Sequence, residues 1–461
     1  MKNPLKRATL CFALFLVVIS CGKEDLPMNT TEINTSTFDK KIKVSGFAEN
    51  NTVLYWNDKA ATVVATPRNQ PTRARLLAMI QIAVHDALNS IKPKYQRYAL
   101  QNEREQFASP DAAVASAAYW AIKGLNLQGN FHLDTWYSES LATIPDGESE
   151  ELGKALGKKA ADAIIANRAN DGFTQVIITS ASPADGDEPG EYRSTLRYVM
   201  VNGVLTLTPF TVKNIPNWGT VLKPFVVQSN YQFRPTGPNA VNSAAYTTDY
   251  NEIKEKGARV GGIRTANEEI LAKFWSESRP SIIWNNLARN IIATKKMDAW
   301  KTARLFALIH TAMADGINSV MESKYHFYSW RPETAVPLAN NDGNDNTAAD
   351  ANWLPYLAEV PNTFITPPIP EYPSSFAMFG GVTTAVLHSF FGSDEIAINL
   401  SSATLPETKL HYSSLSQAAN DNSVSKIYCG WYFRKAVVDG EKMGRNIGNY
   451  VFNNHFQENE E

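Results

Sequence analysis

An internal repeat constrains this chain more than any other feature. Residues 74–91, Ala-Arg-Leu-Leu-Ala-Met-Ile-Gln-Ile-Ala-Val-His-Asp-Ala-Leu-Asn-Ser-Ile, recur without a gap 229 residues later as 303–320, with half of the positions identical. The second copy reads Ala-Arg-Leu-Phe-Ala-Leu-Ile-His-Thr-Ala-Met-Ala-Asp-Gly-Ile-Asn-Ser-Val. Apolar residues recur at helical spacing in both copies and alanine is frequent, the pattern of a helix buried on most of its surface. A second pair follows in the same order, Leu156-Gly157-Lys158-Lys159 and Met443-Gly444-Arg445-Asn446, read here as the openings of helical segments. Two further apolar helical stretches, 111–126 and 374–391, lie between these landmarks. The expectation is an all-α chain of two related helical bundles packed side by side.

The landmarks place the first bundle at 46–184 and the second at 251–455. The crossover between them, 185–250, changes character. Val199-Met200-Val201-Asn202-Gly203-Val204-Leu205-Thr206-Leu207 sets two β-rich runs around Asn-Gly, a hairpin signal, and a proline-rich extended stretch runs on to Pro238. Helix is expected again at 252–256 and continuously through 267–293, and residues 336–373 form a long ordered loop.

Composition excludes some partners. With 44 basic and 46 acidic residues among 461, the chain has no electrostatic reason to bind nucleic acid. Its N-terminus points to a membrane by another route. Lys2, Lys6 and Arg7 precede an apolar run from Leu10 to Ile19 that is too short to span a bilayer. The run ends in Val18-Ile19-Ser20-Cys21, which resembles a bacterial lipobox. Residues 1–20 then form a lipoprotein signal peptide, Cys21 carries the lipid, and polar residues 21–45 act as a tether. Lys23-Glu24-Asp25 resembles the acidic stretch of surface-exported lipoproteins. The expected location is the outer membrane of a Gram-negative bacterium, on its periplasmic or its outer face. Without Cys11, and with Cys21 lipidated, Cys429 has no partner for an intramolecular disulfide.

Three segments carry the chemistry. Lys324-Tyr325-His326-Phe327-Tyr328-Ser329-Trp330-Arg331-Pro332 supplies two cations, one of them able to grip an oxyanion with two N–H groups. Tyr372-Pro373-Ser374-Ser375-Phe376-Ala377 places hydroxyls and free N–H groups at a helix start. Ser425-Lys426-Ile427-Tyr428-Cys429-Gly430-Trp431-Tyr432-Phe433 adds a third cation beside a small turn. Together they define an expected site for a small oxyanion such as phosphate or vanadate, formed by Lys324, Arg331, Ser374, Ser375 and Lys426.

The triplet resembles the superfamily of vanadium-dependent haloperoxidases and type 2 phosphatidic acid phosphatases, whose pattern is Lys-x6-Arg-Pro, Pro-Ser-Gly-His and Ser-Arg-x3-Gly-x-His. Trp218-Gly219-Thr220-Val221, Pro224-Phe225, Phe233-Arg234-Pro235, Phe274-Trp275 and Trp284-Asn285 resemble the bacterial haloperoxidase-like branch, and the likeness extends from about residue 50 to 453. It implies two four-helix bundles and, as the family default, peroxide bound to vanadate oxidising iodide or bromide. Phosphomonoester hydrolysis is the related alternative. The first motif is intact. In the second, Ser375 and Phe376 stand for Gly and the acid–base His. In the third, Lys426 stands for Arg and Tyr432 for the His that ligates vanadate or becomes phosphorylated. Ala436 occupies the place of an Asp that often follows.

Phenylalanine neither ligates nor titrates, and an unperturbed phenol ionises only near about pH 10. The expected function is therefore a catalytically degenerate haloperoxidase-like lipoprotein that keeps an oxyanion pocket or only the scaffold, with no catalytic residue or metal ligand assigned. Other readings stand beside it: the polar residues as structural helix caps, Cys429 as a cation-activated nucleophile, and a surface scaffold for glycans or a partner with exposed tryptophans on one face. A homodimer is compatible with a chain of this size.

Overall fold

The computed structural model describes residues 52–460 apart from 67, 130, 175–184, 202–203, 212–216, 278 and 358–365, and these described residues belong to one compact unit. The signal peptide, the tether and Cys21 lie outside the described residues, as does the Asn202-Gly203 turn. Among the described residues no helix is long and apolar enough to cross a membrane.

The fold is all-α. The first half holds α1 (Thr52–Val64), α2 (Gln70–Ile91), α3 (Pro110–Gly124), α4 (Leu133–Leu141) and α5 (Glu148–Asn167). Strands β1 (Leu196–Val201) and β2 (Val204–Thr211) then pair antiparallel, so the expected hairpin is present. The second half holds α6 (Ala244–Lys256), α7 (Ala266–Trp275), α8 (Pro280–Ala293), α9 (Ala299–Phe327) and α10 (Pro332–Leu338). It continues through α11 (Ser375–Phe391), strands β3 (Ile398–Ser402) and β4 (Leu405–Tyr412), α12 (Leu415–Tyr428) and α13 (Arg434–Asn454).

The two repeat copies lie in α2 and α9, which pack against each other at the centre; α3 and α5 attach to α2 as α11 and α13 attach to α9. Equivalent residues perform the same task in both copies. Asp86 accepts backbone N–H bonds from Tyr98, Ala99 and Leu100 at 2.9, 2.6 and 2.9 Å. Asp315 accepts them from Phe225, Val226 and Val227 at 2.6, 2.7 and 2.9 Å. Each buried carboxylate thus ties down an extended segment whose N–H groups have no strand partner.

Leu156-Gly157 and Met443-Gly444 sit inside α5 and α13, not at their starts. Their glycines mark helix crossings. A Cβ on Gly157 would lie 2.4 Å from the Ala113 carbonyl oxygen of α3, and one on Gly444 would lie 2.2 Å from the Met378 carbonyl oxygen of α11. One turn earlier, Gly153 and Gly440 press in the same way on Ser109 and Ser374, the N-caps of α3 and α11.

Three details differ from the sequence reading. The helix expected through 267–293 is broken between α7 and α8, because Pro280 disfavours helical backbone at Arg279 (φ −117°, ψ 66°) and itself starts a new helix. The loop 336–373 opens with the end of α10 and a 3₁₀ turn at Ala339–Asn341. The β3–β4 hairpin was not expected; it follows a period-two pattern in which Ile398, Leu400 and Ser402 are buried while Asn399 and Ser401 are exposed.

Candidate functional site

Helix α9 is buried almost throughout, from Thr302 to Lys324, and ends where Tyr328 turns into the left-handed region (φ 50°). That reversal sends Ser329 and Trp330 alongside Gly190 and Glu191, with the Trp330 N–H donating to the Gly190 carbonyl at 2.9 Å. Arg331 is thereby folded back towards Lys324, and both side chains are buried.

The second motif begins α11. Ser374 is its N-cap: the hydroxyl accepts from the Ala377 N–H at 3.4 Å, and the Ser374 N–H donates to the Ala436 carbonyl at 2.9 Å. Ser375 Oγ is buried and makes no hydrogen bond among the described residues. The third motif ends α12 and turns at Gly430 (φ 83°), where a Cβ would meet the Gly257 carbonyl at 2.5 Å. This turn delivers Trp431 and Tyr432 to the first two motifs.

The structure brings all three segments together, but aromatic rings stand among the cations. Lys324 Nζ lies 5.1 Å and the Arg331 guanidinium carbon 4.7 Å from the centre of the Tyr432 ring. Lys426 Nζ lies 4.6 Å from the Phe376 ring and 5.5 Å from that of Trp431. The Phe376 ring is 5.6 Å from Trp431 and 6.4 Å from Tyr432. The N–H donors turn to the protein itself. Lys324 Nζ donates to the carbonyls of Pro370 and Glu371 at 2.9 and 2.6 Å. Arg331 donates to the carbonyls of Ile369 and Trp431 at 2.8 and 3.0 Å, and to the Tyr432 hydroxyl at 3.4 Å. Lys426 Nζ donates to the Trp275 carbonyl.

These residues do not fit a vanadate held as a histidine adduct. No imidazole is among them, and the side chain at the ligand position has its hydroxyl on Arg331. His326 is exposed and lies 3.4 Å from Arg234. Among the described residues no group of three or more His, Cys, Asp or Glu side chains is placed to hold a metal. Cys429 is not an activated thiol: it is fully buried, its Sγ reaches the Ala272 carbonyl at 3.5 Å, and burial pushes its pKa up to about 12 despite Lys426 nearby. The tryptophans do not form an exposed face, since seven of the ten are buried and Trp120, Trp136 and Trp300 are partly so.

Sequence reasoning missed Glu371. Its carboxylate is buried against the cationic cluster and accepts the Phe433 N–H at 2.8 Å. Desolvation pushes its pKa up to about 8, with Lys324 and Arg331 opposing. An acid just ahead of Tyr372-Pro373-Ser374 was the available signal. A cavity of about 250 Å³ opens here, walled by Glu371 and by residues that flank the motifs, Trp330, Tyr372 and Phe433, together with Tyr246 and Asp249.

Comparison with known proteins agrees with this architecture. Residues 304–460 match the model of the VCPO second helical-bundle domain. Vanadium chloroperoxidase of Curvularia inaequalis is 24% identical over 407 residues, which cover 74% of this chain and 66% of that protein's length. The crystal structure of the first bacterial vanadium-dependent iodoperoxidase superposes with a TM-score of 0.71 at 23% identity, over 89% of this chain and 98% of that one. A holo-type bacterial vanadium-dependent chloroperoxidase gives 0.65 at 16% identity, over 86% and 95%. Residues 304–460 thus match the VCPO second helical-bundle domain, and the chain shares the fold of these bacterial vanadium-dependent haloperoxidases.

Proposed function

We propose that this protein is a catalytically degenerate haloperoxidase-like lipoprotein in which the cations of the inherited anion site serve as structural anchors. The observation that carries the reading is the Tyr432 ring, 5.1 Å from Lys324 Nζ and 4.7 Å from the Arg331 guanidinium, with the donors of both cations turned onto main-chain carbonyls. An oxyanion entering this cluster has to displace those bonds, and it meets no imidazole to ligate it. Titration of the detergent-solubilised full chain with orthovanadate tests this, with peroxide-dependent iodide oxidation as the activity readout: the native chain is expected to show neither binding nor turnover. The alternative, an oxyanion pocket that still works, draws support from Ser375 Oγ, a buried hydroxyl at the start of α11 without a partner among the described residues.

The same proposal includes anchoring through Cys21 to the outer membrane of a Gram-negative bacterium, on the strength of the lipobox-like leader. Cys21→Ser is expected to move the protein from the membrane to the soluble fraction. An unchanged membrane fraction contradicts the anchor.

A further inference from the structure

The cavity beside the motif residues has a chemistry of its own. Its walls include the aromatic side chains of Tyr246, Trp330 and Phe433, with Tyr246 6.5 Å from Trp330 and 5.5 Å from Phe433 between ring centres. Two carboxylates, Asp249 and Glu371, complete the lining, and both are at least nine-tenths buried. Each is bonded through one oxygen. Asp249 Oδ2 accepts the Asn239 amide at 3.1 Å and the Lys435 N–H at 3.0 Å, and Glu371 Oε1 accepts the Phe433 N–H at 2.8 Å. The Lys435 ammonium does not neutralise them, since it pairs with Asp439 at 2.8 Å. An independent observation points to a ligand: Tyr246 is 4% exposed, and although its hydroxyl faces the Trp330 ring N–H, which can only donate, its own proton finds no acceptor among the described residues. A buried O–H left without an acceptor is costly.

We propose that this cavity binds a small organic ammonium ion that also carries an oxygen. Asp249 supplies the counter-charge, Glu371 adds a polar wall, the aromatic faces receive the desolvated cation, and the oxygen accepts from the Tyr246 hydroxyl. An anionic ligand is disfavoured by the buried Asp249 carboxylate, and a neutral one leaves its charge uncompensated. The proposal uses none of Lys324, Arg331 or Lys426, so it stands or falls apart from the reading of the motif site.

The test is calorimetric titration of the detergent-solubilised full chain with choline chloride and with 3,3-dimethylbutan-1-ol, which has the same shape and hydroxyl but no charge. Choline is expected to bind with a dissociation constant of about 1 mM or tighter, and the neutral alcohol at least about tenfold more weakly. Asp249→Asn, which keeps the side-chain shape, is expected to weaken choline at least about tenfold. Equal binding of the two compounds overturns the proposal, as does the absence of choline binding. Because the two compounds are compared on the native protein, the test holds even if the variant does not fold.

Discussion

A tyrosine between two cations is a different device from a histidine in the same place. An imidazole is a neutral nitrogen ligand that titrates near neutral pH; a phenol presents its ring face to a cation, an interaction worth about 0.5–2 kcal/mol. Tyr432 uses both parts, with its ring near Lys324 and Arg331 and its hydroxyl accepting from Arg331. Glu371 shows the cost of burying charge beside this cluster. Its pKa rises from 4.5 to about 8, so the folded protein holds a proton there that the unfolded chain releases at lower pH. The stability it contributes is fully present below 4.5 and is lost as pH rises through about 8. Urea denaturation across that window is expected to show native stability falling with pH. Glu371→Gln is expected to flatten the fall, and an equal slope in the variant contradicts the assignment.

At the scale of elements, duplication explains why so much of the fold was legible. A helix buried all round repeats its alanine and apolar spacing, so α2 and α9 declare themselves in sequence. The pairing of Gly157 with Gly444 was also visible, although its reason was not: only the packed structure shows that each lets a helix backbone touch its neighbour. Gly444→Ala places a methyl carbon 2.2 Å from the Met378 carbonyl oxygen and is expected to cost more than about 2 kcal/mol in urea unfolding. Ala155→Gly, at an exposed position of α5, is the comparison and should cost about 1 kcal/mol. Similar losses at the two sites contradict the close-packing account. The β3–β4 hairpin escaped notice because two short strands with many polar residues give little signal against a helical background. The break at Pro280 was legible from the proline but was read through.

At the scale of the molecule, sequence motifs named the right neighbourhood without its internal arrangement. Lys324, Arg331, Phe376, Lys426 and Tyr432 converge from three segments, as the motif spacing in the sequence predicts. Where the donors point depends on the carbonyls of Ile369, Pro370, Glu371, Trp275 and Trp431, which no side-chain pattern encodes. For the same reason Glu371 and the aromatic cavity became visible only after folding. Whether the cations still bind an oxyanion is decided most directly by titrating the native full chain with orthovanadate, beside a Phe376→His, Tyr432→His, Lys426→Arg variant. The account predicts no binding by the native protein up to about 1 mM and binding by the variant. Micromolar binding by the native protein, abolished by Arg331→Ala, would contradict it.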